Sequence, residues 1–269
     1  MVDEFGDYLD KHTHLQFPHK HNFYHLVYFT KGSGSHAVDF VNFPVQAGQI
    51  YFMIAGQVHS WNFRTKPDGF IINFSAVYFN TLLSNARYME QFSFFSGIAK
   101  EQVIAIPAKN QTAIVTILQN ILDESISRAA LHDDVIRTGL LQLFIQVERC
   151  IIKKPTQPAQ KHNSLLIQNF KKLIEFHYKE KSLTKDYAAL LYVTPNYLNS
   201  LCKDVTGYSA GELVRERIIL EAKRLLVNAQ MTIAEIADEL NFADNSYFSK
   251  FFKKYASVTP EVFRRQMHN

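Results

Sequence analysis

Several classes of protein are excluded by what this sequence has little of. Its 269 residues include only two cysteines, ten glycines and eight prolines. That composition excludes a disulfide-stapled scaffold, a four-cysteine zinc site, and collagen-like or low-complexity chains. No apolar run approaches the roughly 18 residues of a membrane-spanning helix, and the acidic start lacks the basic-then-apolar order of a signal peptide. With 47% apolar residues, we expect a globular cytoplasmic protein that contacts no membrane.

Positive charge is concentrated in the C-terminal part of the chain. Residues 1–155 contain 13 Lys and Arg against 13 Asp and Glu, whereas residues 156–269 contain 16 against 12. The whole net charge of +4 therefore lies after residue 155 and indicates nucleic acid as a partner there. Histidine is skewed the other way, because seven of the eleven fall within the first 59 residues.

The first 80 residues predict β-structure. Short β-branched and aromatic runs at 23–29, 36–43, 49–54 and 69–75 are separated by turn signals, among them 31–34 and 66–69. Even spacing of short strands is typical of a β-sandwich or small barrel. We interpret Gly32-Ser33-Gly34 as a hairpin turn, since it lacks the strand-to-helix context of a dinucleotide site.

Helical periodicity begins at residue 111 and continues to residue 152. It predicts two helices that meet near residues 131–134. The second helix has a broad apolar stripe, which suits packing on the barrel and also packing on a partner subunit. Dimerisation is therefore one hypothesis and ordinary core packing the other.

A polar segment with two prolines, residues 153–163, predicts a linker between two domains. The expected organisation is an effector-binding and dimerisation domain at 1–154, a linker at 155–163 and a DNA-binding domain at 164–269. The fold class is α+β, with an N-terminal β-barrel and following helices, then an all-α domain. Its helices are predicted at 164–179, 184–192, 195–205, 210–228, 233–240, 245–255 and 260–266.

The last third of the sequence contains an internal repeat. Residues 183–191 align with 232–240, and residues 195–203 align with 245–253 after one inserted residue. Each copy predicts a short helix, a tight turn and a second helix with a small, polar first turn, which is a helix-turn-helix. Ala188 and Ala237 are small enough to let the two helices cross closely.

The starts of the two second helices are the predicted DNA-reading surface, because small polar groups there can enter a major groove. The candidate base-reading residues are Asn196, Asn199, Ser200, Asn245, Ser246 and Ser249. The candidate phosphate contacts are Lys203, Lys250, Lys253 and Lys254. The helix between the copies, at 210–228, would be roughly 28 Å long, on the scale of a DNA turn of roughly 34 Å. The competing interpretation is a helical bundle whose lysines only solvate its surface, and two in-phase copies favour DNA binding.

Residues 236–254, with Val258-Thr259-Pro260 and Phe263-Arg264, resemble the signature of the AraC/XylS family of transcription regulators. Residues 212–226 resemble that family's linker helix, and the resemblance covers 162–267. Asn241 and Ser257 stand where the family usually has glycine, which bears on local turn geometry. The resemblance implies a transcription regulator that binds double-stranded DNA and responds to a small-molecule effector. We expect a homodimer, and an activator rather than the alternative, a repressor; an activator would also contact RNA polymerase.

Family members often carry an N-terminal cupin-like barrel, and residues 19–59 are similar to its two motifs in spacing, with several identities changed. Independently of any family, His19, His21 and His25 share one parity on an extended strand and so project to one face. With His59 they make a set of four imidazoles suited to Zn, Fe, Ni or Cu. The predicted effector pocket is lined by His19, His21, His25, Tyr28, His59 and Trp61.

Two interpretations of the histidines remain open. They hold a divalent transition metal, or they line an organic-ligand pocket and hydrogen-bond one another without metal, as the family resemblance implies. No catalytic arrangement stands out, so we expect no enzyme and no other cofactor. The alternatives for the whole chain are a metal-dependent cupin enzyme or metal sensor fused to a DNA-binding domain, or a DNA binder that senses nothing. Cys202 aligns with Phe252 and is predicted to be a core position.

Overall fold

The computed structural model describes residues 1–12, 17–79, 88–151, 158–227 and 230–268. The chain divides into two compact units, Met1–Lys153 and Lys154–Asn269. The first unit combines an antiparallel sheet with helices and the second is helical throughout its described residues, which confirms the predicted α+β class. Closure of the sheet into a cupin-like barrel stays a prediction. Among the described residues, no helix has the length and apolar character needed to cross a membrane.

The described residues of the N-terminal unit form seven strands and three helices. The strands are β1 (Val2–Glu4), β2 (His19–Lys20), β3 (Tyr24–Val38), β4 (Val41–Pro44), β5 (Gln49–Met53), β6 (Val58–Phe74) and β7 (Val103–Ala105). The helices are α1 (Phe5–Lys11), α2 (Ala108–Ser127) and α3 (His132–Ile151). Short 3₁₀ turns occupy Ala76–Phe79, Tyr88–Gln91, Ser93–Phe95 and Ala99–Glu101.

The strands form one antiparallel sheet in the order β1-β6-β3-β5-β7, with β2 added to β6 and β4 to β3. The long strands β3 and β6 pair along most of their length. The predicted turns at 31–34 and 66–69 are wrong, because both segments run inside these two strands. The register shifts between Phe29 and Gly34 instead, as β-bulges do. Gly69 is required opposite them, since a Cβ there would lie 1.8 Å from the Tyr28 carbonyl oxygen.

The turn between β3 and β4 falls inside a segment predicted to be one strand. Asp39 and Phe40 have φ values of 48° and 67° and connect Val38 to its partner Val41. Two consecutive residues with positive φ match the right-handed twist of a two-residue hairpin. The predicted strand 36–43 is therefore two strands, and its turn carries no glycine that would have marked it.

The two faces of the sheet carry separate cores. One face packs against α2 and α3 and buries Leu26, Tyr28, Ile50, Phe52, Ile72 and Phe144 among others. The opposite face packs against α1 and buries Phe5, Val27, Phe29, Tyr51, Met53 and Trp61 among others. Helix α3 directs its apolar stripe into the first core, as the core-packing hypothesis expects.

The C-terminal unit contains seven helices in its described residues. They are α4 (Pro158–His177), α5 (Thr184–Leu190), α6 (Pro195–Thr206), α7 (Ala210–Leu226), α8 (Ile233–Glu239), α9 (Asn245–Ala256) and α10 (Pro260–His268). Helix α4 begins six residues before the predicted start, so the described end of the predicted linker is helical, and residues 152–157 lie outside the described residues. Helix α7 has 17 residues and is thus about 25 Å long at 1.5 Å per residue.

Candidate nucleic-acid interface and histidine cluster

The first helix-turn-helix consists of α5 and α6. Ala188 is fully buried where the helices meet, and Leu198 and Leu201 hold α6 against the core. The turn closes when the backbone N–H of Val193 donates to the carbonyl oxygen of Ala188, with an N···O distance of 3.0 Å. These contacts fix α6 and leave its first turn facing solvent.

The second helix-turn-helix, α8 and α9, has the same turn-closing hydrogen bond and the same turn conformation. The N–H of Phe242 donates to the carbonyl oxygen of Ala237 at 2.9 Å, as Val193 does to Ala188. Asn241 has φ 59°, and the corresponding residue of the first copy, Tyr192, has φ 55°. The repeat predicted from the sequence is thus present in the backbone hydrogen bonds and dihedral angles.

The ends of the second helices are also equivalent. Ser257 has φ 66° after α9, and Gly207 has φ 82° after α6. In both copies the N–H of this residue donates to the carbonyl oxygen four residues before it, which is an αL helix cap. Both positions where the family usually has glycine therefore keep the left-handed conformation that glycine favours.

Each second helix begins at a side-chain cap. Thr194 accepts from the N–H of Tyr197 at 3.2 Å, and Asp244 accepts from the N–H of Tyr247 at 2.7 Å. A cap satisfies one of the free N–H groups in the first turn and sets where the helix starts. The cap residue in each copy therefore fixes which side chains the helix presents at its exposed end.

The structure brings most predicted base-reading residues to these exposed ends. Asn196, Ser200, Asn245 and Ser246 are exposed and Ser249 is half-buried. All four predicted phosphate contacts, Lys203, Lys250, Lys253 and Lys254, are exposed on the same two helices.

Asn199 has a different role from the predicted one. It is half-buried, and its Oδ1 accepts a hydrogen bond from the N–H of Ala210 at 3.1 Å. Ala210 opens α7, so this contact satisfies a free N–H of that helix and ties α6 to it. The sequence pattern placed Asn199 one turn into α6 but could not show which neighbour it would meet.

Two tyrosines at the same exposed ends are not among the site residues predicted from the sequence. Tyr197 and Tyr247 occupy equivalent positions and are 44% and 58% exposed. A tyrosine that combines an accessible ring with a hydroxyl suits a binding surface, because one end of the side chain is apolar and the other is polar. Their match across the repeat was visible in the sequence and was the signal that could have identified them.

The N-terminal unit gathers five histidines on the sheet face that carries Trp61. The ring centroids of His19 and His59 are 4.2 Å apart, and that of His21 lies 4.8 Å from the first and 5.1 Å from the second. His25 and His36 follow at 4.9 Å and 5.5 Å from His59. One ring nitrogen of each of His19, His21 and His59 lies within 4.8 Å of the other two.

Hydrogen bonds at Nδ1 orient three of these rings. The Nδ1 of His19 lies 2.8 Å from the carbonyl oxygen of Phe17, which can only accept, so Nδ1 carries the proton. The Nδ1 of His25 bonds the Oδ1 of Asn73 at 2.7 Å, and the Nδ1 of His59 bonds the Nε2 of His36 at 3.2 Å.

His36 was missed because of the bulges in β3. It lies seven residues after Phe29, so a regular strand would place the two on opposite faces. The register shifts before Gly34 change that parity, and both side chains reach the same face. A one-residue slip moves every later side chain to the other face of a sheet.

Tyr28 does not belong to the predicted effector pocket. It has the opposite parity to His25 on a regular part of β3 and packs in the core under α2 and α3. The other five predicted pocket residues share one face. Trp61 lies 5.1 Å from His59 between ring centroids, and its buried Nε1 has no hydrogen-bond partner within the described part of the chain.

Burial keeps the imidazoles of four of these histidines, His21, His25, His36 and His59, neutral. It lowers the pKa of His21 to about 4 and that of His36 to about 3, with a further lowering from the charge of His19. The pKa values of His25 and His59 are held well below the usual range by burial and then by the neighbouring histidines. At neutral pH each ring therefore keeps one lone pair that can accept a hydrogen bond or bind a metal.

Comparison with known families assigns both units. Residues 2–168 match the AraC-like ligand binding domain, more than half of the chain, and residues 187–266 match a helix-turn-helix domain. The chain belongs to the AraC family of transcription regulators. The helix-turn-helix pair and the histidine-bearing sheet are thus its DNA-binding domain and its ligand-binding domain.

Individual AraC-type regulators are similar to the chain over different lengths. The regulatory protein YesN of Bacillus subtilis is 36% identical over 109 residues, which cover 39% of this chain and 30% of YesN. The transcriptional activator RhaR of Cronobacter sakazakii is 23% identical over 260 residues, covering 92% of this chain and 86% of RhaR. The crystal structure of ToxT from Vibrio cholerae covers 92% of this chain and 90% of ToxT, at 14% identity and a TM-score of 0.47.

Proposed function

We propose that this AraC-family chain regulates transcription by reading two neighbouring DNA half-sites, one with each helix-turn-helix, under control of an effector bound by the N-terminal unit. The observation that carries the proposal is the duplicated geometry of α5–α6 and α8–α9. Two equivalent helices with exposed polar first turns suit two successive major grooves.

The proposed interface divides into two kinds of contact. Exposed small polar groups, led by Asn196 and Ser246 at equivalent positions, contact base edges, and Tyr197 and Tyr247 lie beside them with an apolar ring and a hydroxyl. The four exposed lysines neutralise phosphates. Asn199 is left out of the base-reading set because it holds α7.

The effector unit binds its ligand on the histidine face of the sheet, at His19, His21, His25, His59 and Trp61. The neutral imidazoles of His21, His25 and His59 offer acceptors to a small molecule. The indole N–H of Trp61, which has no hydrogen-bond partner among the described residues, offers a donor. Binding there changes DNA affinity only through a difference in affinity between two states of the chain.

The direction of regulation and the oligomeric state are the remaining parts of the proposal. RhaR, aligned along 92% of the chain, is a transcriptional activator, which supports activation by this chain. Activation would take place in the cytoplasm and would require contact with RNA polymerase. We propose a homodimer, supported by exposed Ile126, Leu131 and Val135 at the junction of α2 and α3. No catalytic reaction is assigned to the chain.

Sequencing of genomic fragments captured by the full chain at moderate salt tests the proposal. The purified protein is compared with Asn196→Ala/Ser246→Ala and with the control Gln168→Ala/Asn169→Ala, which changes exposed residues of α4 outside both helix-turn-helix motifs. We expect a few sites with two half-motifs about one helical turn apart, lost in the first variant and kept in the control. Equal recovery by all three proteins would contradict base reading by these helix starts.

A further inference from the structure

We propose that the histidine cluster binds one divalent transition-metal ion through the Nε2 atoms of His19, His21 and His59. The inference names the ligand of the effector unit and therefore rests on the proposed function. Three imidazoles form a ligand set that prefers zinc, nickel, copper or cobalt over the oxygen-seeking magnesium and calcium ions. The site would lie on the face of the sheet that carries Trp61, away from α2 and α3.

The hydrogen bonds already present select the nitrogen that each ligand offers. His19 donates from Nδ1 to the Phe17 carbonyl, which leaves a lone pair on Nε2. His59 uses Nδ1 with His36, and its Nε2 is buried without a hydrogen-bond partner within the described residues. The Nε2 of His21 is likewise buried and unpartnered there. Buried polar atoms normally find partners, so this arrangement indicates a ligand between them.

His36 is the positioning residue of this site. For His59 to bind through Nε2, its Nδ1 must carry the proton and donate to the Nε2 of His36. Metal-binding histidines commonly donate their second ring N–H to an acceptor that fixes the tautomer and the ring plane. His25 has the same kind of support from Asn73, so its Nε2 is available as a fourth nitrogen.

The distances allow coordination after small side-chain movements. Zinc–nitrogen bonds of about 2.0–2.1 Å place the nitrogens of a tetrahedral site roughly 3.4 Å apart. One ring nitrogen of each of His19, His21 and His59 lies within 4.8 Å of the other two. The nitrogens must therefore approach one another by up to about 1.4 Å to reach the spacing of a tetrahedral site. A fourth position remains for His25, or for a small acceptor molecule near the indole N–H of Trp61.

Calorimetric titration of the chelator-treated full chain with Zn²⁺ alone tests the site. We expect one ion per chain in the unchanged protein and at least about tenfold weaker binding in His21→Ala and in His59→Ala. His132→Ala, which changes a half-buried histidine on α3 outside the cluster, is the matched control and should bind as the unchanged protein does. Thermal unfolding of each metal-free variant identifies any substitution that prevents folding. His21→Ala should disturb folding less than His59→Ala, because His21 is half-buried and His59 is buried.

The positioning role of His36 has its own measurement. His36→Phe should weaken Zn²⁺ binding about tenfold, whereas His36→Gln keeps an acceptor for the Nδ1–H of His59 and should restore most of it. Co²⁺ in place of Zn²⁺ should show the absorption of a site with nitrogen ligands, and this spectrum should change in His59→Ala. Less than one ion per chain, or unchanged affinity in His21→Ala, would overturn the proposal.

The genomic capture experiment, carried out on metal-free protein, separates the two proposals. Captured sites without any Zn²⁺ binding would refute the metal site alone. If the chain binds one Zn²⁺ but captures no sites, whether the ion is present or absent, the DNA-reading proposal is refuted and the metal site stands.

Discussion

Lys203 and Lys253 offer a matched test of the duplicated interface. They occupy equivalent positions on α6 and α9 and both are exposed. If each helix-turn-helix meets DNA in the same way, Lys203→Gln and Lys253→Gln should weaken binding equally and at every sequence. Lys109→Gln is the control, because that lysine is exposed on α2 in the other unit.

The expected size of the effect follows from counterion release. Each neutralised phosphate contributes about 0.9 to the slope of log affinity against log salt concentration, so four lysines contribute about 3.6. Between roughly 50 mM and 200 mM salt, that slope is a loss of about 150-fold in affinity. Each single substitution should reduce the slope by about 0.9, and the double variant by about 1.8.

Fluorescence anisotropy with a captured site, repeated at several salt concentrations, measures these slopes. A scrambled duplex of equal length checks that the lysines act on all sequences alike. An unchanged slope in the double variant would refute phosphate contact by these residues. A fall in only one single variant would show that the two motifs do not meet DNA equivalently.

Three further predictions concern local structure. Asn199→Ala should lower the free energy of unfolding by about 1 kcal/mol in urea titrations, because the N–H of Ala210 loses its acceptor. The preference for DNA sequence should stay unchanged. An altered preference with unchanged stability would show that Asn199 contacts bases. In thermal melts, Gly207→Ser should lower stability and Ser257→Gly should raise it, each by about 1 kcal/mol, because both positions have left-handed φ values. A change of the same sign in both variants would argue against strain at this cap. Burial raises the pKa of Cys202 to about 11, so at pH 8 its thiol should resist Ellman's reagent until the protein unfolds, and rapid reaction in the folded chain would contradict that burial.

The C-terminal unit could be predicted closely because its determinants are local. Caps such as Thr194, small crossing residues such as Ala188 and Ala237, and a repeat of the same pattern all operate within a few residues along the chain. Helix starts and the two turns followed from them. The helix α4 extended further than predicted, since the polar composition of its first turns resembles a linker.

The N-terminal unit was predicted less well because bulges and long-range pairing decide it. Gly32 and Gly34 marked a turn in the sequence, but across the sheet they permit bulges within a continuous strand. Those bulges bring His36 to the histidine face. Tyr28 was assigned to the pocket on its type alone, although strand parity places it opposite His25.

The sequence by itself determined the family, the duplicated helix-turn-helix and the parity that puts His19, His21 and His25 on one face, because periodicity and capping are encoded by neighbouring residues. Only the tertiary structure decided which side chains meet across distant segments. It paired His36 with His59, directed Asn199 to the start of α7 and left Tyr197 and Tyr247 exposed. The reason is physical: strand register and helix packing depend on contacts between residues far apart in the chain, and no local pattern specifies them.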